Sequence, residues 1–261
     1  MVQLKPPVAP GPVDVSIIYQ IVAAAFLAFV LSACGDRAAN YFPLEQGMTR
    51  VYRQTVITRN KGNAGGFEKS ELASAATELA PRTVGGKSAV PRLYADGRVL
   101  YFARSGDGIV LIGKSEPGED APQDIAPRYV LKLPLAVGAT WTSSGETESL
   151  HRTFLGGYGA INKPVAADGP IVFTVESVED TVRVPAGTFH HCLRVHGVGS
   201  GKLDWGQPFG MLTVTMDVTQ WYAPGIGLVK RVRKEGTGSD GPLGAELDEE
   251  LDGVIEPGWL G

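Results

Sequence analysis

His190, His191, Cys192 and His196 are the first residues whose types and spacing could do chemistry, since imidazoles near a thiol can ligate metal or activate a nucleophile. In an extended strand, alternation would put His190, Cys192, Arg194 and His196 on one face and His191, Leu193 and Val195 on the other. His190 and Cys192 would stand ~6–7 Å apart, with His196 about 20 Å from His190. A metal needs three or four ligands at bonding distance, and Arg194 on that face repels a cation. The expected role is therefore a polar strand face. Cys192 beside histidines could also be a nucleophile, but a Cys within an apolar strand is usually inert packing.

A second candidate is Gly108-Ile-Val-Leu-Ile-Gly113-Lys114-Ser115, which satisfies the phosphate-loop pattern. That loop needs flexible backbone amides followed at once by a helix. Here the intervening residues are β-formers, and Glu116-Pro117-Gly118 cannot open a helix in the required way, so a strand is expected. The sequence contains no G-x-S-x-G, H-E-x-x-H or C-x-x-C motif. Glu179-Asp180 and Asp248-Glu249-Glu250 have the form of turn and tail acids, although paired carboxylates can also assemble in space. Trp141, Trp205, Trp221 and Trp259 follow no repeat that would suggest sugar or base stacking.

The other cysteine is Cys34. It follows an uncharged apolar run from Val15 to Leu31 and the small residues Ser32 and Ala33, which is the form of a secretory signal. Leu31-Ser32-Ala33-Cys34 resembles the lipobox of bacterial lipoproteins, L-[AS]-[GA]-C. The resemblance implies that the Cys34 thiol receives a diacylglycerol, that residues 1–33 are a cleaved signal peptide, and that membrane lipid is a partner through the acylated cysteine. One acyl chain, at ~0.8 kcal/mol per buried methylene, anchors only marginally, so further acylation would be needed for stable attachment. The alternative is a plain transmembrane anchor; the run is near the lower length for a span and contains Ser16 and Gln20. The first residues depart from a positive n-region, with Pro6, Pro7, Pro10 and Pro12 and one base, Lys5, balanced by Asp14. By resemblance to enteric sorting, Gly35 after the cysteine points to the outer membrane in a Gram-negative cell. The chain would face the periplasm or the exterior.

What must position these residues is a β domain. The 261 residues are 43% hydrophobic and 20% charged, which excludes a disordered chain, while two cysteines exclude a disulfide scaffold. A formal net charge of −4 gives no footprint for nucleic acid. From Tyr41 onward, short alternating segments are separated by Gly, Pro and Asp. Arg92–Ala95, Val99–Ala103 and Ile109–Gly113, joined by Asp96-Gly97 and Gly106-Asp107-Gly108, predict a meander because tight turns need positive φ. Glu68–Leu79 is the one stretch compatible with a helix. The expected class is all-β, an antiparallel meander forming a curved sheet or partly open barrel. Its expected divisions are a signal over 1–33, a lipidated tether over 34–40, a β domain over 41–234 and an acidic segment over 235–261.

From Glu235 onward there are eight acids and no base, directly after the basic run Lys230-Arg231-Val232-Arg233-Lys234. The run could be a solvated edge strand guarded by charge, the favoured expectation, or the acidic tail could pack over it or the patch meet anionic lipid. Phe42-Pro43-Leu44-Glu45-Gln46-Gly47 and Leu133-Pro134-Leu135-Ala136-Val137-Gly138 resemble each other and precede Tyr52 and Trp141. Two uses of one turn into a strand are favoured over a duplicated unit. Tyr41-Phe42-Pro43-Leu44-x-x-Gly47, Val184-Pro185-Ala186-Gly187-Thr188-Phe189 and Trp221-Tyr222-Ala223-Pro224-Gly225-Ile226-Gly227-Leu228-Val229-Lys230, in this order after a lipobox, resemble an uncharacterised TapB-like family of bacterial lipoproteins. That resemblance implies no catalytic residue. The function expected is a lipid-anchored, non-enzymatic envelope protein without cofactor that binds an apolar ligand or a partner protein. The alternative is an envelope hydrolase with a site assembled from separate strands.

Overall fold

A computed structural model describes residues 37–60, 66–119, 121–148, 151–156, 159–164, 168–204, 210–237 and 243–258. Cys34 and the apolar run before it lie outside the described residues. The β-branched and aromatic runs form the strands their alternation predicts. They are β1 (Thr49–Asn60), β2 (Gly66–Glu78), β3 (Arg82–Val84), β4 (Lys87–Tyr94), β5 (Val99–Ser105), β6 (Gly108–Ser115), β7 (Gln123–Lys132) and β8 (Thr140–Glu146). After these come β9 (His151–Gly156), β10 (Gly159–Pro164), β11 (Asp168–Val184), β12 (Gly187–Asp204), β13 (Met211–Ala223), β14 (Gly227–Gly236) and β15 (Leu243–Ile255).

One antiparallel sheet runs in the order β7-β6-β5-β4-β2-β1-β15-β14-β13-β12-β11-β8, with β3 on β4 and a separate β9–β10 hairpin. The twist of so many strands curls the sheet on itself. Its two ends, β7 and β8, meet through the Arg128–Glu146 ion pair at 3.2 Å, a near-closed barrel. The expected meander is present as β4–β5–β6, with Gly97 at φ 87° in the first turn. Gly108 opens the second hairpin's return strand; a Cβ there would stand 2.1 Å from the Leu131 carbonyl oxygen, so only glycine fits. The phosphate-loop pattern lies along β6, paired on both sides, and cannot wrap an anion.

Three expectations are corrected. The possible helix at Glu68–Leu79 is β2 through Glu78, because β1 offers it a ladder from Gly66 to Thr77. The basic run is no solvated edge. It forms β14, paired with β13 and β15, and the acidic stretch supplies β15, which inserts between β14 and β1. Opposite charges then stand directly across the ladder, as at Lys230–Glu250, 2.6 Å apart. The sheet therefore runs through the expected boundary at 234/235. Residues expected as tether also dock: 37–41 form one helical turn and Ala38 is buried.

The two similar segments are the same turn used twice. Gly47 and Gly138 both have φ 86°, and Met48 N and Ala139 N donate to Glu45 O and Ala136 O respectively. Each turn leads into a strand, β1 or β8, and each buries its leucine, Leu44 or Leu135. The core between them is built from Phe42, Phe102, Ile109, Leu131, Trp141, Val175, Leu193 and Tyr222, so the N-terminal segment plugs one end of the barrel. Trp141 stacks on Phe173 with ring centroids 5.5 Å apart. Phe173 has room because its cross-strand partner is Gly197, where a Cβ would approach the ring to 2.5 Å.

Candidate functional site

The histidine–cysteine segment does not converge. The β11–β12 ladder shifts register at Val175/Ser177, Ser177/Asp180 and Asp180/Val182, and His191 adopts φ 55°. These bulges break the expected alternation. Cys192 and Leu193 are both buried, while His190 and His191 are exposed. Cys192 packs among Val182, Val184, Ala223, Val229 and Leu251, because the hairpin tip bends over to β15, where Ala186 N donates to Leu251 O at 3.0 Å. Burial, then the Asp180 charge, push its thiol up to about 11, which disfavours the thiolate a nucleophile needs.

The histidines have separate partners. His190 Nδ1 lies 3.1 Å from Thr181 Oγ1, and His191 Nδ1 lies 2.5 Å from Glu179 Oε2. His196 sits between Glu176, at 3.3 Å, and Asp217, at 3.1 Å, while Arg194 bridges Glu176 and Asp180 at 3.0 and 3.1 Å. This is an external ion-pair network with a fixed cation at its centre. Among the described residues no group of three or more His, Cys, Asp or Glu is placed to hold a metal.

Two clusters of charge lie inside the barrel: the first matches no expectation from the sequence, and the second joins the basic run to the acidic stretch, the alternative expected for it. The first is fully enclosed. Glu78, at the end of β2, takes Arg50 Nη1 at 2.7 Å and Arg92 Nη2 at 2.6 Å on a single oxygen. Arg50 Nε also donates to Ile226 O. The Arg92 guanidinium lies 4.3 Å from the Phe42 ring centroid and 4.9 Å from that of Phe102, so each charge is paired and one is covered by aromatic faces. This triad ties β1, β2 and β4 to the plug.

The second cluster lies further along β14, where the buried face carries Arg231, Arg233 and Glu235. Cross-strand Glu249 reaches Arg231 at 3.1 Å and also accepts from Gln54 of β1. Arg233 pairs with Glu235 and donates to the Glu146 carbonyl. Glu148, beyond the end of β8, folds onto this layer: its carboxylate meets Arg231 at 2.8 Å and Arg233 at 3.2 Å, and its N–H donates to Glu235 at 2.9 Å. Burial alone would raise the Glu148 carboxyl, but Arg231, Arg233 and Arg98 outweigh it and hold it down at about 2.

That depression makes a pH prediction. A carboxyl lowered from 4.5 to about 2 stabilises the fold fully above pH 4.5, and the contribution disappears as pH falls towards 2. The shift would correspond to about 3 kcal/mol in a sealed site. With the side chain 38% exposed, screening reduces this to about 1–2 kcal/mol. Glu148→Gln should therefore lower the urea-unfolding free energy by that amount at pH 7 and by almost nothing near pH 2. An equal loss at both pH values would refute the ionic origin.

Chemically, both clusters consist of carboxylates in ion pairs with arginines. A polar groove of about 480 Å³ at the plugged end is lined by Arg37, Asn40, Glu45, Arg104 and Gly225.

No family profile and no curated protein matches the sequence. Two solved structures are similar in outline: a candidate lipoprotein from Parabacteroides distasonis, with TM-score 0.36, and a candidate exported protein with a YmcC-like fold from Bacteroides fragilis, with TM-score 0.33. Each is 13% identical and is matched over 82% of this chain and 98% of its own. Similarity at that level bears on neither the ligand nor the activity of this chain.

Proposed function

We propose that this is a lipid-anchored protein of the bacterial envelope that works by binding an apolar ligand or a partner protein, without catalysis. The observation that carries the anchoring is Leu31-Ser32-Ala33-Cys34 directly after an uncharged apolar run. A non-enzymatic role is supported by the consumption of the interior charges in ion pairs and by the buried, unreactive Cys192. Binding is supported by the long strands β12 to β15, whose buried faces carry Leu203, Val214, Met216, Val218, Ala245 and Leu247 beside the charged layer.

Two measurements test this. Cells expressing the chain and fed a clickable fatty acid should label it, and Cys34→Ala should abolish that labelling; labelling that persists would refute the lipobox. Native mass spectrometry of the chain made without residues 1–33 should reveal co-purifying or added lipid analogue. Absence of both, with no partner recovered from solubilised envelope, would remove the binding reading.

A further inference from the structure

The antiparallel order puts alternate turns at opposite ends of the barrel. The plug over 37–48, the β5–β6 turn, the 133–139 turn and the β13–β14 turn all fall at one end. Hydrogen bonds tie them together: Gly225 N donates to Asn40 O at 2.8 Å and Leu133 N to Asp107 O at 2.8 Å. The chain enters the domain at this end, because Ala38 and Phe42 are fixed in its core. Arg37 is three residues from Cys34, a reach of no more than ~10 Å even when fully extended.

A domain held that closely cannot tumble freely above its anchor, and what this end presents matters. The 133–139 turn exposes Pro134, Ala136 and Val137 in succession, apart from buried Leu135. Val137, at its tip, is the most exposed large apolar side chain among the described residues, at 65%. The same end carries exposed Arg37 and Arg104, which line one groove, and the half-buried Lys132 directly before the turn. The carboxylates nearby are Glu45, which is exposed, and Asp107, which Ser105 and Tyr129 bind by hydrogen bonds of 2.6 and 2.7 Å. Nearby too are Glu176, which follows the Val175 carbonyl that accepts from Gly138 N and pairs with Arg194 at 3.0 Å, and Glu179, 2.5 Å from His191. An apolar tip on an end that also carries exposed cationic stems suits a lipid-water boundary, where the tip enters the headgroup region and the cations meet phosphate.

We propose that the plugged end of the barrel lies on the bilayer that holds the acyl anchor, with the Val137 turn seated in the headgroup layer and the opposite end directed away. This rests on the lipoprotein reading of Cys34. Met211, at the far end of β13, is 63% exposed and equally apolar, and twelve strand steps from Ala223 place it about 40 Å away.

The pair supplies a matched test. In the full-length acylated protein Cys192 is fully buried, so Val137→Cys and Met211→Cys each present one reactive thiol for a nitroxide label. The labelled proteins are reconstituted into phosphatidylethanolamine–phosphatidylglycerol vesicles and recovered by flotation. The nitroxide at 137 should be several-fold less accessible to a water-soluble nickel relaxant than the one at 211, and more accessible to oxygen. Equal nickel accessibility at the two positions in floated protein overturns the orientation while leaving the anchor intact. Protein that fails to float overturns the anchor, and the orientation with it.

Discussion

Glu78→Gln should destabilise the domain by about 3–5 kcal/mol, because it removes the anion that pairs with two buried guanidiniums. The Glu78 side chain has no exposed surface, and those of Arg50 and Arg92 keep 2% and 8% of theirs. Water cannot replace the lost charge there, and a neutral amide accepts a guanidinium far more weakly than a carboxylate does. The loss extends past one contact. Arg50 also holds the Ile226 carbonyl, and Arg92 lies against Phe42 and Phe102, so displaced arginines disturb the plug and the β13–β14 turn together. Replacing all three residues by apolar ones of similar volume should cost much less than Glu78→Gln alone, because no unpaired charge is left behind. Equilibrium denaturation in urea at pH 7 measures both. A loss under about 1 kcal/mol for the single substitution would mean that water or another group reaches the site.

Trp141→Ala should cost about 3–5 kcal/mol through lost contact and the cavity left behind, whereas Trp141→Phe should cost under about 1.5 kcal/mol. The indole is 5% exposed and stacks on Phe173 within the core that includes the plug and Leu131 of β7. It belongs to β8, the last strand before the seam with β7, where no backbone ladder holds the edges. Its Nε1 is buried without a hydrogen-bond partner among the described residues. Phenylalanine keeps the stacking and removes that unsatisfied donor, which offsets part of the volume lost. Thermal unfolding followed by near-ultraviolet circular dichroism separates the two variants. Equal losses for Ala and Phe would show that the ring's stacking contributes little.

The charge triad illustrates why part of the interior was hidden in the sequence. Arg50 shares a strand face with Tyr52, and Arg92 sits among apolar residues, so a cation stood where alternation expects a core side chain. That signal was available. The partner was not, because Glu78 is 28 positions from Arg50 and 14 from Arg92, and only pairing of β2 with both β1 and β4 brings the three together. Glu148 is a similar case, 83 positions from Arg231 and reached by a chain that leaves β8 and turns inward. Carboxylates and arginines attract at any sequence separation, so their pairing depends on the folded path.

Local chemistry alone determined the strands, the Asp-Gly hairpins, the twofold use of one glycine turn, and the motif at Cys34, since each depends on residues within a few positions of one another. Tertiary structure decided the rest. It made a strand of Glu68–Glu78, placed the acidic C-terminal stretch beside the basic one as β15, and buried Cys192 by a bulge that separated it from the face of His190, Arg194 and His196. The physical reason is that a strand's edge hydrogen bonds and its charges can be satisfied only by a neighbour, and which neighbour arrives is settled by how the sheet closes.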